Sequence, residues 1–216
     1  GNEILISSLA YAVGHATITV TATANGKSVS RSFLVEVLLA DNGTTNTYNF
    51  QLNTGWNLVG FIPYMSSVVN LPSSLTNSEN VYVIWQYDTD NSTWLGYTPD
   101  SVLAPLLAGK EITDIKATDG IWIYGKKPVL VTFINPPEPT TTSNDIVLKD
   151  GWNLISSPDG SSIDPASFTN ASLVWAYDMG TWKVYSNDPN TIAAAQAASI
   201  EIIQSLSGTV GFWVLK

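Results

Sequence analysis

Eight tryptophans divide into two sets of four in the same order, so the later part of the chain is a rewritten copy of much of the earlier part. Trp56, Trp85, Trp94 and Trp122 correspond to Trp152, Trp175, Trp182 and Trp213, and none is left over. The words around them agree. Gly55-Trp56-Asn57-Leu58 matches Gly151-Trp152-Asn153-Leu154, and Trp85-Gln86-Tyr87-Asp88 matches Trp175-Ala176-Tyr177-Asp178; Tyr97 and Tyr185 follow the third tryptophan of each set. A duplication of this size implies two like units in tandem. Trp85 shares a strand face with Val83 and Tyr87, Trp175 shares one with Leu173 and Tyr177, and Trp122 and Trp213 stand in nearly unbroken apolar runs. Such patterns mark buried positions, so each repeat is expected to bury its four tryptophans in one core.

Alternation of apolar with polar residues and the turn residues between them define the segments. From Ala12 to Leu38 the pattern is a hairpin, with Thr17, Thr19, Thr21 and Thr23 alternating with Ile18, Val20 and Ala22 before an Asn25-Gly26 turn. Residues 1–45 form this hairpin segment, either the tail of a domain or a docked ribbon. Residues 46–134 form the first repeat, with strands around Phe50–Leu52, Trp56–Phe61, Val81–Tyr87, Trp94–Tyr97, Ile112–Lys116, Ile121–Tyr124 and Pro128–Ile134. Residues 135–144, with three prolines and several threonines, can neither pair as a strand nor bury apolar surface, and form a linker. Residues 145–216 form the second repeat. Asp188 as a cap, Pro189 at the first helical position and the alanine-rich run to Ala198 predict a short helix there; Pro105 predicts less helix in the matching stretch Ser101–Leu107. The expected fold is all-β with minor helix: two homologous small β-barrel or β-sandwich repeats in tandem, preceded by a β-hairpin.

Composition removes several function classes. At 216 residues and 44% hydrophobic content the chain can bury substantial cores, yet only 12% of it is charged and the net charge is −9. With Arg31 as its one arginine and Lys126-Lys127 as its largest basic cluster, it is not expected to bind nucleic acid or anionic lipid. Absence of cysteine excludes disulfides, cysteine-ligated zinc and thiol nucleophiles. No apolar run approaches the length of a membrane-spanning helix, so no membrane insertion is expected, and no leader peptide is seen. Zero cysteine and abundant Thr, Ser and Asn point to an extracellular or cell-surface protein.

The order Gly-Trp-Asn-Leu, Trp-x-Tyr-Asp, Trp-x-x-Tyr and Gly-x-Trp resembles a tryptophan-marked β repeat found near the C-termini of large secreted and cell-surface proteins of bacteria and archaea. Its positions are Gly55–Leu58, Trp85–Asp88, Trp94–Tyr97 and Gly120–Trp122, then Gly151–Leu154, Trp175–Asp178, Trp182–Tyr185 and Gly211–Trp213. The hairpin at 12–38 resembles the end of a bacterial immunoglobulin-like or cadherin-like domain. These resemblances imply location and a modular role, with neighbouring modules, glycans or other surface proteins as partners; they bring no catalytic residues.

A sugar ring stacks its C–H face on an indole, and Trp94 and Trp182, on short strands after Ser92-Thr93 and Gly180-Thr181, are the candidates for such a platform, with Tyr97 and Tyr185 as their companions. Asp88, Asp90 and Ser92 have the alternate spacing of a calcium loop, but Thr93 and Pro99 stand where its glycine and glutamate belong, so a turn is the simpler reading and no metal is expected. One histidine, His15, offers no base to either repeat, and no carboxylate pair is set in aromatic sequence. No cofactor and no catalytic residue is therefore assigned, and the chain reads as a non-catalytic structural, adhesion or anchoring module, with a carbohydrate-binding module as the alternative. Asn42-Gly43-Thr44, Asn91-Ser92-Thr93 and Asn170-Ala171-Ser172 match the glycosylation acceptor pattern.

Overall fold

Threonine alternation and the Asn25-Gly26 turn produce the hairpin of β1 (Gly14–Ala24) and β2 (Lys27–Val37). Both turn residues have positive φ, 52° and 71°, the twist that a two-residue hairpin loop requires. Three rungs of hydroxyls cross the ribbon, Thr19–Ser32, Thr21–Ser30 and Thr23–Ser28, at 2.7–2.8 Å. The computed structural model describes residues 14–37, 47–60, 63, 68–134, 142, 146–178 and 180–216. Most of the expected linker, the Asn42 sequon, Phe61 and Asp145 lie outside these residues. The chain divides into two units, Gly1–Thr45 and Asn46–Lys216.

In the second unit, β3 (Thr47–Leu52) and β4 (Gly55–Val59) precede a short helix α1 (Ser73–Thr76). Then come β5 (Val81–Asp88), β6 (Thr93–Tyr97), β7 (Ile121–Gly125) and β8 (Val129–Ile134). β4, β7, β5 and β6 form one antiparallel sheet in that order, and β3 pairs with β8 as a separate ribbon. The later part supplies β9 (Trp152–Ile155), β10 (Leu173–Asp178), β11 (Thr181–Tyr185), helix α2 (Pro189–Ala197), β12 (Glu201–Ile202) and β13 (Phe212–Leu215). Its sheet runs β9-β13-β10-β11-β12, so β9, β13, β10 and β11 occupy the places of β4, β7, β5 and β6. The chain is all-β with minor helix. Neither sheet closes into a barrel among the described residues.

Each sheet buries one face in a core of aliphatic residues and phenylalanines, called the aliphatic core to set it apart from the tryptophan side. Ile84, Ile121 and Ile123 meet Phe50, Leu52, Val131 and Phe133 of the β3–β8 ribbon, with Leu75 of α1 beside them. This is a two-layer packing, as a sheet with one apolar face requires. In the later sheet Val174, Ala176, Phe212 and Val214 pack against Ile163, Phe168, Ile203 and Leu206, with Ile146 and Leu148 alongside. The segment holding Ile146 and Leu148 is not a strand, because among the described residues nothing pairs with it as β8 pairs with β3.

Two local expectations differ from what forms. Residues 112–116 are not a strand. Their backbone is satisfied piecemeal: Ile112 N–H donates to Gly96 C=O (3.0 Å), Gln86 Nε2 donates to Asp114 C=O (3.1 Å), and Lys116 N–H donates to the Asp119 carboxylate (2.8 Å). The matching stretch of the later sheet makes the two-residue parallel strand β12. Helix α2 begins as its residues dictate, with the Asp188 carboxylate accepting the Asn190 and Thr191 N–H groups and Pro189 in the first turn. The Pro105 stretch makes only a 3-10 turn, Ala104–Leu107.

Candidate functional site

Each letter of the repeated words has a structural task. Gly55 and Gly151 turn the chain at φ 89° and 92°, a region that side chains avoid. Asn57 then ties the turn: its Oδ1 accepts Asn53 N–H (2.9 Å) and its Nδ2 donates to the carbonyls of Asn53 (2.9 Å), Gly55 (2.9 Å) and Ile123 (3.4 Å). Asn153 repeats this with Lys149, Gly151 and Val214. Asp88 closes the β5–β6 turn by accepting from the N–H groups of Asp90 and Asn91. Turn chemistry thus occupies the carboxylate that the calcium spacing singled out, and Asp90 pairs with Lys149.

The two sheets meet along a backbone seam with near two-fold symmetry. Gly60 N–H donates to Thr209 C=O (3.0 Å), and its counterpart Ser156 N–H donates to Thr118 C=O (2.9 Å). Gly120 N–H donates to Leu154 C=O and Gly211 N–H to Leu58 C=O, both at 3.3 Å. Space on the pseudo-axis is short. A Cβ on Gly120 would lie 2.7 Å from Ile155 O, and one on Gly211 would lie 2.9 Å from Val59 O and 3.1 Å from Gly120 Cα. The glycine of Gly-x-Trp is therefore there for close approach of two backbones. Ser156 keeps a side chain because its counterpart is Gly60, and its single Oγ–H is shared between the carbonyls of Ala117 and Asp119, each 3.1 Å from Oγ.

The tryptophans stand on the opposite side of each sheet from the aliphatic core. This overturns the expectation that each repeat buries four indoles. Trp85, Trp122, Trp175 and Trp213 are half-buried, while Trp56, Trp94, Trp152 and Trp182 are 44%, 38%, 39% and 42% exposed. The reason lies in strand period. Ile121 and Ile123 alternate with Trp122 and Tyr124, so both faces are apolar, and β3 and β8 cover only the branched aliphatic side. Against Trp85 stands Gly96, where a Cβ would come within 2.8 Å of the indole.

Across the seam the rings join into two ladders. One runs Trp56–Trp122–Trp182–Trp175, with centroids 5.9, 5.9 and 6.0 Å apart. The other runs Trp152–Trp213–Trp94–Trp85 at 6.0, 5.7 and 6.5 Å. Each ladder begins in one repeat and ends in the other. Tyr177 packs on Trp122 (5.3 Å) and Tyr87 on Trp213 (5.1 Å). Trp122 and Trp182 are tilted at 57°, and the other ladder pairs meet at 74–88°, the edge-to-face arrangement that such rings favour, worth about 0.5–1.5 kcal/mol per pair beyond burial. The ladders frame two open grooves of about 560 and 700 Å³ walled by indole and phenol.

Of the four residues predicted for a sugar platform, Trp94 and Trp182 lie on this aromatic side and line the grooves. Tyr97 and Tyr185 do not join them. Both pack against the aliphatic cores on the other side of their sheets, because three residues along a strand reverses the side. Sequence reasoning left out the other six tryptophans, Tyr87 and Tyr177 as groove walls; what hid them is that the grooves arise only where two repeats meet. His15 sits on β1 opposite Glu36 in register, in the other unit.

Beside the seam, burial pushes the Asp119 carboxyl above its ordinary 3.8, against hydrogen bonds from Lys116 N–H and Gln86 Nε2 that pull it down. An acid whose folded pKa is raised contributes stability that is full below the unfolded value and is lost as pH climbs through the folded one. Asp119→Asn keeps an oxygen for both donors and removes the titration. Melting curves across pH should show the parent losing stability relative to the Asn variant from about pH 4 upward; parallel curves would mean that the carboxyl is not desolvated. No protein-family model, curated protein or solved structure matches this chain.

Proposed function

We propose that the chain is a non-catalytic adhesion or anchoring module of a larger secreted or cell-surface microbial protein, with its aromatic side as the working surface. One observation carries this reading: eight indoles form a connected, partly exposed surface although each sheet has an aliphatic core of its own. Contiguous exposed aromatics of this kind mark contact sites. The tandem arrangement, the proline-threonine stretch, and the resemblance to surface-protein repeats support the modular role. A second reading, a carbohydrate-binding module, is favoured by the exposure of Trp94 and Trp182 in open grooves.

The test is adhesion itself. Beads coated with the chain should bind microbial cell envelopes saturably, and Trp94→Ala with Trp182→Ala should lower the bound fraction at least about tenfold, the loss of one or two aromatic hot spots. Undiminished binding by that variant would remove the aromatic side from the function.

A further inference from the structure

The two grooves are built alike, and neither belongs to one repeat. Trp56, Trp85, Trp94 and Trp122 of the first repeat wall one groove, which Tyr177 and Trp182 of the second repeat complete. Trp152, Trp175, Trp182 and Trp213 wall the other, which Tyr87 of the first repeat completes. Under the correspondence of the repeats these are the same four tryptophans and the same tyrosine, with Trp182 as an addition in the first groove and Ile200 in the second. Trp182 lines both, so the grooves adjoin.

Resting on the binding-module reading, we infer that each chain holds two like sites for neutral glycan, each assembled across the seam from both repeats. Charge points to the ligand. Among the described residues no charged side chain lines either groove, and a chain of net charge −9 repels phosphates and acidic sugars. What the walls offer is flat aromatic surface with indole N–H and phenol O–H groups. A pyranose ring fits this offer: its C–H face covers an indole while its equatorial hydroxyls remain in the water at the open mouth. Because the grooves adjoin, one polysaccharide can occupy both, and the second contact then forms at high effective concentration.

Calorimetry on the full chain with trisaccharides of neutral β-linked glucose, N-acetylglucosamine and mannose is the test. Two equivalent sites per chain are expected for the sugar that binds, with a long polymer of that sugar binding on the order of a hundredfold tighter. Trp56→Ala and Trp152→Ala, at exposed positions, should each reduce two sites to one. Tyr177→Ala should remove the first groove's site although it lies in the second repeat, and Tyr87→Ala should remove the other. One site in the parent chain, or two sites surviving Tyr177→Ala and Tyr87→Ala, would overturn the composite pair while leaving the module reading intact. Binding of a proline-rich peptide in place of sugar would overturn the ligand class. If no neutral glycan binds and the beads still adhere to envelopes, the inference fails and the adhesion reading stands; if neither occurs, both fail.

Discussion

Phe212→Ala should lower the stability of the second unit by about 3–5 kcal/mol, whereas Trp182→Ala should cost about 1–2 kcal/mol and act chiefly on binding. Phe212 is wholly buried, stands in register between Ala176 and Ile155, and packs against Phe168 at 5.8 Å. Truncating it removes a ring from the centre of the aliphatic core, and strands on both sides prevent the space from closing. Trp182 carries a larger ring with more apolar area, yet 42% of the residue is in solvent and its neighbours on the aromatic side are open grooves that water can fill. Urea denaturation of both variants gives the comparison. If Trp182→Ala is the more damaging, the indoles belong to the core after all and the aromatic side is no free surface.

That ranking inverts what size and hydrophobicity alone suggest. Strand positions are legible in this chain because alternation and turn residues leave local marks: the hairpin follows from threonine alternation and Asn25-Gly26, and α2 from Asp188 and Pro189. Period two separates the faces of a strand but does not say which of two apolar faces is covered. On β7 only the ribbon that packs against Ile121 and Ile123 decides it, and that ribbon joins β3 to β8 from opposite ends of the first repeat. The expected strand at 112–116 fails for a similar reason, since the side chains of Gln86 and Asp119 take the hydrogen bonds that a neighbouring strand would have made. For the site, Trp94 and Trp182 were visible from their short polar-flanked strands, while the tyrosines that complete the grooves come from the other repeat. One signal of the seam stood in the sequence. Gly120 and Gly211 lack positive φ, so their recurrence before Trp122 and Trp213 reflects crowding between backbones rather than a turn.

Replacing both Gly120 and Gly211 by alanine should uncouple the two repeats, turning one unfolding transition into two. Each added methyl group meets backbone: Ile155 O at 2.7 Å from the first, Val59 O at 2.9 Å from the second. A flexible side chain could swing away from such a contact, but a carbonyl held in a sheet cannot, so the sheets must move apart. Overpacking costs about 1–3 kcal/mol per site, and sites this close do not add independently. Separation also stretches the hydrogen bonds from Gly120 to Leu154 and from Gly211 to Leu58, and pulls Trp122 from Tyr177 and Trp213 from Tyr87. The methyl groups press on Val59 and Ile155 at the edge of each core and leave the rest of both cores in place, so each sheet keeps most of its own stability and melts separately. Calorimetric scanning should show the split, and tryptophan emission should shift to the red before either core melts, because the indoles that bridge the seam become hydrated first. Ser156→Gly is the informative control: it removes the hydroxyl that the Ala117 and Asp119 carbonyls share at the same axis without adding volume, so it should weaken the seam but leave a single transition. A double-alanine variant that melts in one step at the parent's temperature would show that the backbones at Gly120 and Gly211 are not in contact, and the grooves built across that contact would go with it.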